Sequence, residues 1–441
     1  MHNDTPLDQA RLSHWLASLA PIMTITAIIV AAAAPRSTPF MLLLLGGPVV
    51  ALGVLTAREL ALRPLSPLVH TLLALGAYLA LNSLWSVVPF TALGRVVLFG
   101  LILAMGWAMA KILPALSWDD ADRLQRAIIY AVGATAFLLA FETLFGQPIR
   151  RFIVWLIPIL RPDPKHIVFD NGWVAQISLY TLNRNVALLN LMLWPTLMLL
   201  RARAPTSKAW QVAGAALLAF SAIAIFSSEH ETSMIALTVG VLVLVGMFAA
   251  ATVTRAFVLA AWVAATLLVV PAANFAHEGG LHRVPWLPTS ARNRIILWNV
   301  TADRMLNSPI FGIGIDSTKP LDQRLAPVAR REPGDTYAQR TGRHAHNIFM
   351  QIWYELGATG ALLVLIAGFA ALRAMARLPS TDQPYIFASF ASTMVLASFT
   401  WGLWQPWFMC AFGLWAVLLL VGLDAMRRSR SAIASKAATG R

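Results

Sequence analysis

WLASLAPIMTITAIIVAAAA, Trp15–Ala34, runs for twenty residues without a charged side chain. About 20 consecutive apolar residues are what a helix needs to cross the hydrocarbon core of a bilayer. Residues 1–14 carry Asp4 and Asp8 against Arg11, a poor leader segment. The run also exceeds the roughly 7–15 apolar residues of a signal peptide. It reads as a retained first span.

Outward from this run the pattern repeats near 38–56, 67–87, 91–111, 124–145, 185–202, 209–227, 232–250, 254–275, 357–378, 384–403 and 406–425. Composition agrees: the 441 residues are 58% hydrophobic and 12% charged, against roughly 25% charged in soluble chains. The expected fold is an all-α integral membrane protein with about 12 transmembrane helices. A large loop containing short helices precedes the tenth span. Tryptophans near span ends, such as Trp15, Trp85, Trp118 and Trp210, fit interfacial anchoring. Cys410 is the only cysteine, so no intramolecular disulfide is available and a packing role is expected.

Short-loop charge sets the orientation. A cytoplasmic N-terminus puts seventeen Lys and Arg inside: Arg11; Arg58 and Arg63; Lys111, Arg123 and Arg126; Arg201, Arg203 and Lys208; Arg255; Arg373 and Arg377; and Arg427, Arg428, Arg430, Lys436 and Arg441. The short outside loops then hold Arg36 and Arg95. The chain divides into a nine-span membrane domain (1–275) with an outside loop at 146–184, and a large outside loop (276–345). An interfacial helix with the last three spans (346–425) and a basic cytoplasmic tail (426–441) follow.

Long loops escape the charge rule, so their basicity needs another reason. Loop 276–345 carries ten Lys and Arg against six acids, and 146–184 five against two. With a net charge of +14, this points to anionic membrane lipid or a phosphate-bearing ligand at the outer interface. No nucleic-acid partner is expected.

Four stretches concentrate polar chemistry. RHAHNIFMQIWYELGATG, Arg343–Gly360, starts with Arg343, His344, His346 and Asn347 and continues as a helix. Its face is Ile348, Phe349, Ile352, Trp353 and Leu356, with Gln351 and Glu355 elsewhere. Gly357 and Gly360 form a small-residue pair that permits close helix approach. His346 then sits at a helix N-terminus, where the dipole and Arg343 disfavour imidazolium. A histidine neutral near pH 7 can serve as a general base; ordinary interfacial polarity is the plainer alternative.

ARNRIILWNVTADRMLNSPIFGIGID, Ala291–Asp316, reads as a short helix followed by a Pro309–Gly314 turn. Arg292 and Arg294 at its start suit an oxyanion clamp, or a helix resting on headgroups. In TLNRNVALLN, Arg184 lies at the outer end of a span and faces a cavity or snorkels. SSEHETS, Ser227–Ser233, is an outside turn. Its Glu229, His230 and Glu231 are expected mainly to solvate it, with an acceptor or cation site as the alternative.

Together these stretches resemble the O-antigen ligase family, part of a superfamily of polytopic ligases and polymerases. The shared late motif is His346-Asn347, nine residues, then Gly357-Ala358-Thr359-Gly360. Arg294 one turn before Trp298, and Pro309–Gly314, are similar to the family's preceding pattern. Leu363 departs from the family's usual Gly, Thr or Val, and Glu-His-Glu stands where relatives often carry Ser-Arg. The resemblance implies transfer of an O-antigen glycan from undecaprenyl diphosphate to a lipid A–core sugar hydroxyl. The site would be periplasmic, in the bacterial inner membrane. It implies His346 as general base and Arg294 at the reacting diphosphate. Arg184, Arg292, Arg343, His344 and Asn347 would be binding residues. No cofactor and no metal are expected. An O-antigen polymerase or protein O-oligosaccharyltransferase would use the same donor. A polyprenyl-glycan flippase would instead show repeats and mid-membrane polar groups.

Overall fold

The computed structural model describes residues 6–56 and 66–438. Arg58, Arg63 and Arg441, three residues in the orientation argument, lie outside the described residues. The first helices are α1 (Pro6–Ala33), α2 (Thr38–Thr56), α3 (Pro67–Asn82), α4 (Pro89–Ile112) and α5 (Trp118–Leu144). Then come the short α6 (Pro148–Leu156) and a hairpin, β1 (Ile167–Asp170) with β2 (Trp173–Ile177). Next are α7 (Asn183–Arg203), α8 (Lys208–Phe226), α9 (Glu231–Ala249), α10 (Ala251–Leu267) and α11 (Val269–Glu278). The large loop folds α12 (Thr289–Met305) and α13 (Thr318–Leu325). The chain closes with α14 (Ile348–Ala376), α15 (Gln383–Phe399) and α16 (Pro406–Ala438).

Among the described residues, ten helices are long and apolar enough to cross a membrane. The protein is an all-α, multi-pass membrane protein. The expected count of twelve differs at two places. The run at 254–275 is bent by 70° between α10 and α11; counted as one span, this pair makes eleven. Pro271 explains the break: it has no N–H, and its ring clashes with the carbonyl four residues back, that of Leu267. The run at 384–403 yields α15, only 17 residues, or about 25 Å at 1.5 Å per residue. It stops at Phe399 because residues 400–405 leave the helix for the site described below.

The central helix is α7, packed by α5, α8, α15 and α16. It is buried along nearly its whole length, so an apolar sequence on every side is what its surroundings require. Its first turn is tied to the end of α1 by Asn185 Nδ2, which donates 2.6 Å to the Ala32 carbonyl.

Helix α14 is two helices joined at Gly357, where φ is +64° and ψ is −166°. The Pro309–Gly314 turn fills the break: Ala358 N–H donates to the Pro309 carbonyl at 2.8 Å and Thr359 N–H to that of Ile310 at 3.1 Å. A Cβ at Gly357 would overlap the Ile310 carbonyl. This glycine admits a loop, not the neighbouring helix expected from the Gly357/Gly360 pair. The first half, residues 348–356, is buried on almost every side, not along one face.

Candidate active site

One end of the bundle gathers the starts of α7, α9 and α14, the end of α15, and α12. Asn347 begins α14: its Oδ1 accepts from the N–H groups of Phe349 (2.9 Å) and Met350 (3.1 Å), an N-cap. His346 precedes it with φ +53°, a left-handed conformation uncommon outside glycine. The helix thus engages Asn347 through Oδ1.

The two histidines of this segment have defined partners. His346 Nδ1 lies 2.7 Å from the Thr400 carbonyl. A carbonyl only accepts, so Nδ1 carries the hydrogen and Nε2 of the neutral ring is bare. His344 Nδ1 accepts the backbone N–H of His346 at 3.3 Å, which leaves its Nε2 protonated. Burial pushes the His346 ring down to about 4, with the Arg294 charge the second cause; the Thr400 bond opposes both. His344 falls to about 3, through burial first and then His346, Arg294, Arg184 and Arg343. Both rings are therefore neutral at pH 7. The expected influence of Arg343 on His346 belongs to Arg294 instead; Arg343 is exposed and acts on His344.

Arg294 sits on α12 one turn before Trp298, so both occupy one face. Trp298 Nε1 donates 2.6 Å to the Ala345 carbonyl, which locks that face to the histidine segment. Burial lowers the Arg294 pKa, while Glu231 and Tyr180 oppose the shift. No ion pair to Arg294 within 4 Å occurs among the described residues.

Arg184, in the first turn of α7, lies over the Trp407 ring at 5.5 Å, and its Nε is buried without a partner. Arg292 points elsewhere, donating 3.2 Å to Thr289 Oγ1 in its own helix turn. The structure thus draws Arg184, Arg294, His344 and His346 together. It leaves Arg292 and Arg343 at the rim.

Sequence reasoning missed two residues. His230 is buried rather than solvating its turn, and stacks on Trp401 at 5.1 Å. Glu355 is fully buried and accepts five hydrogen bonds. They come from Thr318 N–H (2.9 Å) and Oγ1 (2.5 Å), Asp316 N–H (3.3 Å), Gln351 Nε2 (3.2 Å) and Trp404 Nε1. Gln351 Oε1 in turn accepts from Leu403 N–H at 2.9 Å. Through these bonds α14 holds the 400–405 segment, whose Thr400 carbonyl orients His346. Gly402 lets that segment close on His344: a Cβ there would crowd the ring.

A cavity of about 430 Å³ opens at Trp85, Pro309, Ile310 and Phe311, on the turn that fills the α14 break, not at the histidines. The charge and hydrogen-bond pattern, not cavity size, marks the site. Among the described residues no three His, Cys, Asp or Glu side chains converge as a ligand set.

A family model described as O-antigen ligase matches residues 216–365. A protein of Rickettsia conorii named as a polysaccharide ligase is 26% identical over 132 residues, 30% of this chain and 31% of that protein. One from Rickettsia felis, similarly named, is 24% identical over 30% of this chain and 32% of its own length. One from Rickettsia bellii is 21% identical over 372 residues, 82% of each. The chain thus spans about a third of the first two relatives and most of the third. Residues 216–365, which carry Arg294, His344 and His346, are thus the part of the chain that is similar to the O-antigen ligase family.

Proposed function

We propose that the protein transfers an O-antigen glycan from undecaprenyl diphosphate to a sugar hydroxyl of lipid A–core. The reaction runs at the periplasmic face of the bacterial inner membrane, with both termini cytoplasmic. The observation that carries this reading is the bare Nε2 of a half-buried, neutral His346 beside the guanidinium of Arg294.

The acceptor hydroxyl gives its proton to His346 Nε2 as its oxygen bonds to the anomeric carbon. The bond from that carbon to the phosphoryl oxygen breaks, and the electron pair leaves on the diphosphate. Displacement from the opposite face inverts the anomeric centre. Arg294 meets the developing charge, with Arg184 as the second cation. Guanidinium groups grip phosphate oxygens in pairs and stay charged, so this route uses no metal. A donor anchored by a lipid fits a site at the end of a helix bundle.

The test uses purified protein in lipid with EDTA, the polyprenyl-diphosphate-linked glycan and rough lipopolysaccharide. A laddered product that disappears with His346→Ala supports the reading. Lengthened lipid-linked chains from donor alone would make the protein a polymerase.

A further inference from the structure

The Ser227–Ser233 turn holds a feature that the transfer reading does not use. Glu229 and Glu231 are exposed, yet His230 between them is only 8% exposed. Its main chain is pinned: its N–H donates to Ser228 Oγ at 3.1 Å, and its carbonyl accepts from Ser233 N–H at 2.9 Å. Its ring lies nearly parallel to Trp401, with 20° between planes. Trp401 meets Trp407 edge-on at 4.8 Å, and Trp407 underlies Arg184. An aromatic bridge thus runs from one cation of the site to His230.

The hydrogen-bond pattern fixes the tautomer. His230 Nδ1 is 2.6 Å from Ser233 Oγ, and Ser233 is fully buried. That hydroxyl has no other hydrogen-bond partner among the described residues. If it accepted from Nδ1, its own hydrogen would be buried without an acceptor, which costs free energy. It therefore donates, Nδ1 is the acceptor, and Nε2 carries the hydrogen. This is the reverse of His346. The Nε2–H has no partner among the described residues and is not among the atoms sealed from the surface.

The ring is neutral: burial, and then Arg294, hold its pKa near 4. The same guanidinium acts on His344 and His346. A protonated Nε2 cannot ligate a metal or accept a substrate proton. It can donate to an anion that Arg294 also holds. The positive end of the α9 dipole lies at the same place.

We propose that His230 is a further phosphate-binding residue, whose Nε2–H donates to a phosphoryl oxygen of the lipid-linked diphosphate beside Arg294. This rests on the transfer reading above.

The test measures donor and acceptor KM and inhibition by inorganic pyrophosphate, for the full-length protein in lipid. His230→Phe keeps a ring against Trp401 but has no donor. His230→Gln keeps an N–H near the Nε2 position. A hydrogen bond to a charged group predicts that Phe weakens pyrophosphate inhibition and raises donor KM by about 10- to 100-fold. Gln should recover most of that loss, with acceptor KM unchanged in both. Unchanged pyrophosphate inhibition in Phe overturns the proposal, as does equal loss in Phe and Gln, or a shift in acceptor KM alone. If Phe does not fold, Ser233→Ala frees the tautomer; it should weaken pyrophosphate inhibition, and an unchanged value overturns the assignment. Absence of any transfer by the unmodified protein would instead sink the transfer reading and this proposal with it.

Discussion

His346 Nδ1 and the Thr400 carbonyl oxygen stand 2.7 Å apart, joining segments 54 residues apart in sequence. One bond fixes both the orientation of the ring and the nitrogen that can take a proton. His346→Ala should lower transfer by roughly 10²–10⁴-fold, the usual contribution of a positioned base. The variant should still elute as a single folded species with a modestly lower melting temperature, since the ring meets the Thr400 carbonyl and the His344 ring. Normal turnover in such a protein would falsify the base assignment.

The depressed histidine sets a pH dependence. A base works in its neutral form, which exists above its pKa. With His346 near 4, and not the ordinary value of about 6.5, kcat/KM should stay flat from about pH 8 to about pH 5. It should fall as the pH drops through the folded value. Arg294 is one cause of the depression, so Arg294→Gln should move the acid limb upward as well as reduce kcat. A limb that stays in place in Arg294→Gln would mean that the two groups do not interact.

Asn347, expected as a binding residue, also caps α14. Asn347→Ala removes the acceptor for two N–H groups and should cost about 1 kcal/mol, read as a lower midpoint in thermal unfolding. Asn347→Asp should restore most of it. Donor KM should stay close to that of the unmodified protein in both. A large rise in donor KM, with stability intact, would return Asn347 to the binding residues.

Gly357 tests the broken helix. Its φ and ψ lie where only glycine is at ease, and strain there costs on the order of 1–3 kcal/mol. The added methyl also meets the Ile310 carbonyl. Gly357→Ala should therefore reduce folded yield sharply, measured by fluorescence-detected size exclusion. Gly360→Ala should reduce it as well, because its methyl would meet the Leu356 Cβ, an atom fixed to the backbone. Full tolerance at both positions would mean that α14 runs straight.

The spans were legible because each is a long apolar run, and Arg294, His344 and His346 because charge stood out against them. Asn347 as a cap was also readable: an Asn directly before an apolar helical run is an N-terminal signal. His230 was not, since a turn of Ser, Glu and Thr looks solvated, and the indole that covers it comes from Trp401, far along the chain. The bend after Leu267 needed attention to Pro271 inside an otherwise unbroken apolar run.

Glu355 shows the same limit and makes the last test. On a helical wheel it is a polar residue off the apolar face. In the fold it is sealed, and its donors come from Asp316, Thr318, Gln351 and Trp404. A carboxylate can accept at both oxygens, which is why this residue type satisfies donors on two sides. Glu355→Gln keeps the size but replaces one acceptor oxygen with an NH₂ group. Whichever oxygen is lost, N–H donors are left facing an N–H, at about 1–3 kcal/mol for a buried unpaired group. The variant should therefore be less stable and should lose kcat more than donor KM, because the 400–405 segment that aligns His346 is loosened while the arginines remain. A variant with lowered stability but unchanged kcat would confine Glu355 to folding and leave His346 aligned by Thr400 and Gln351 without it.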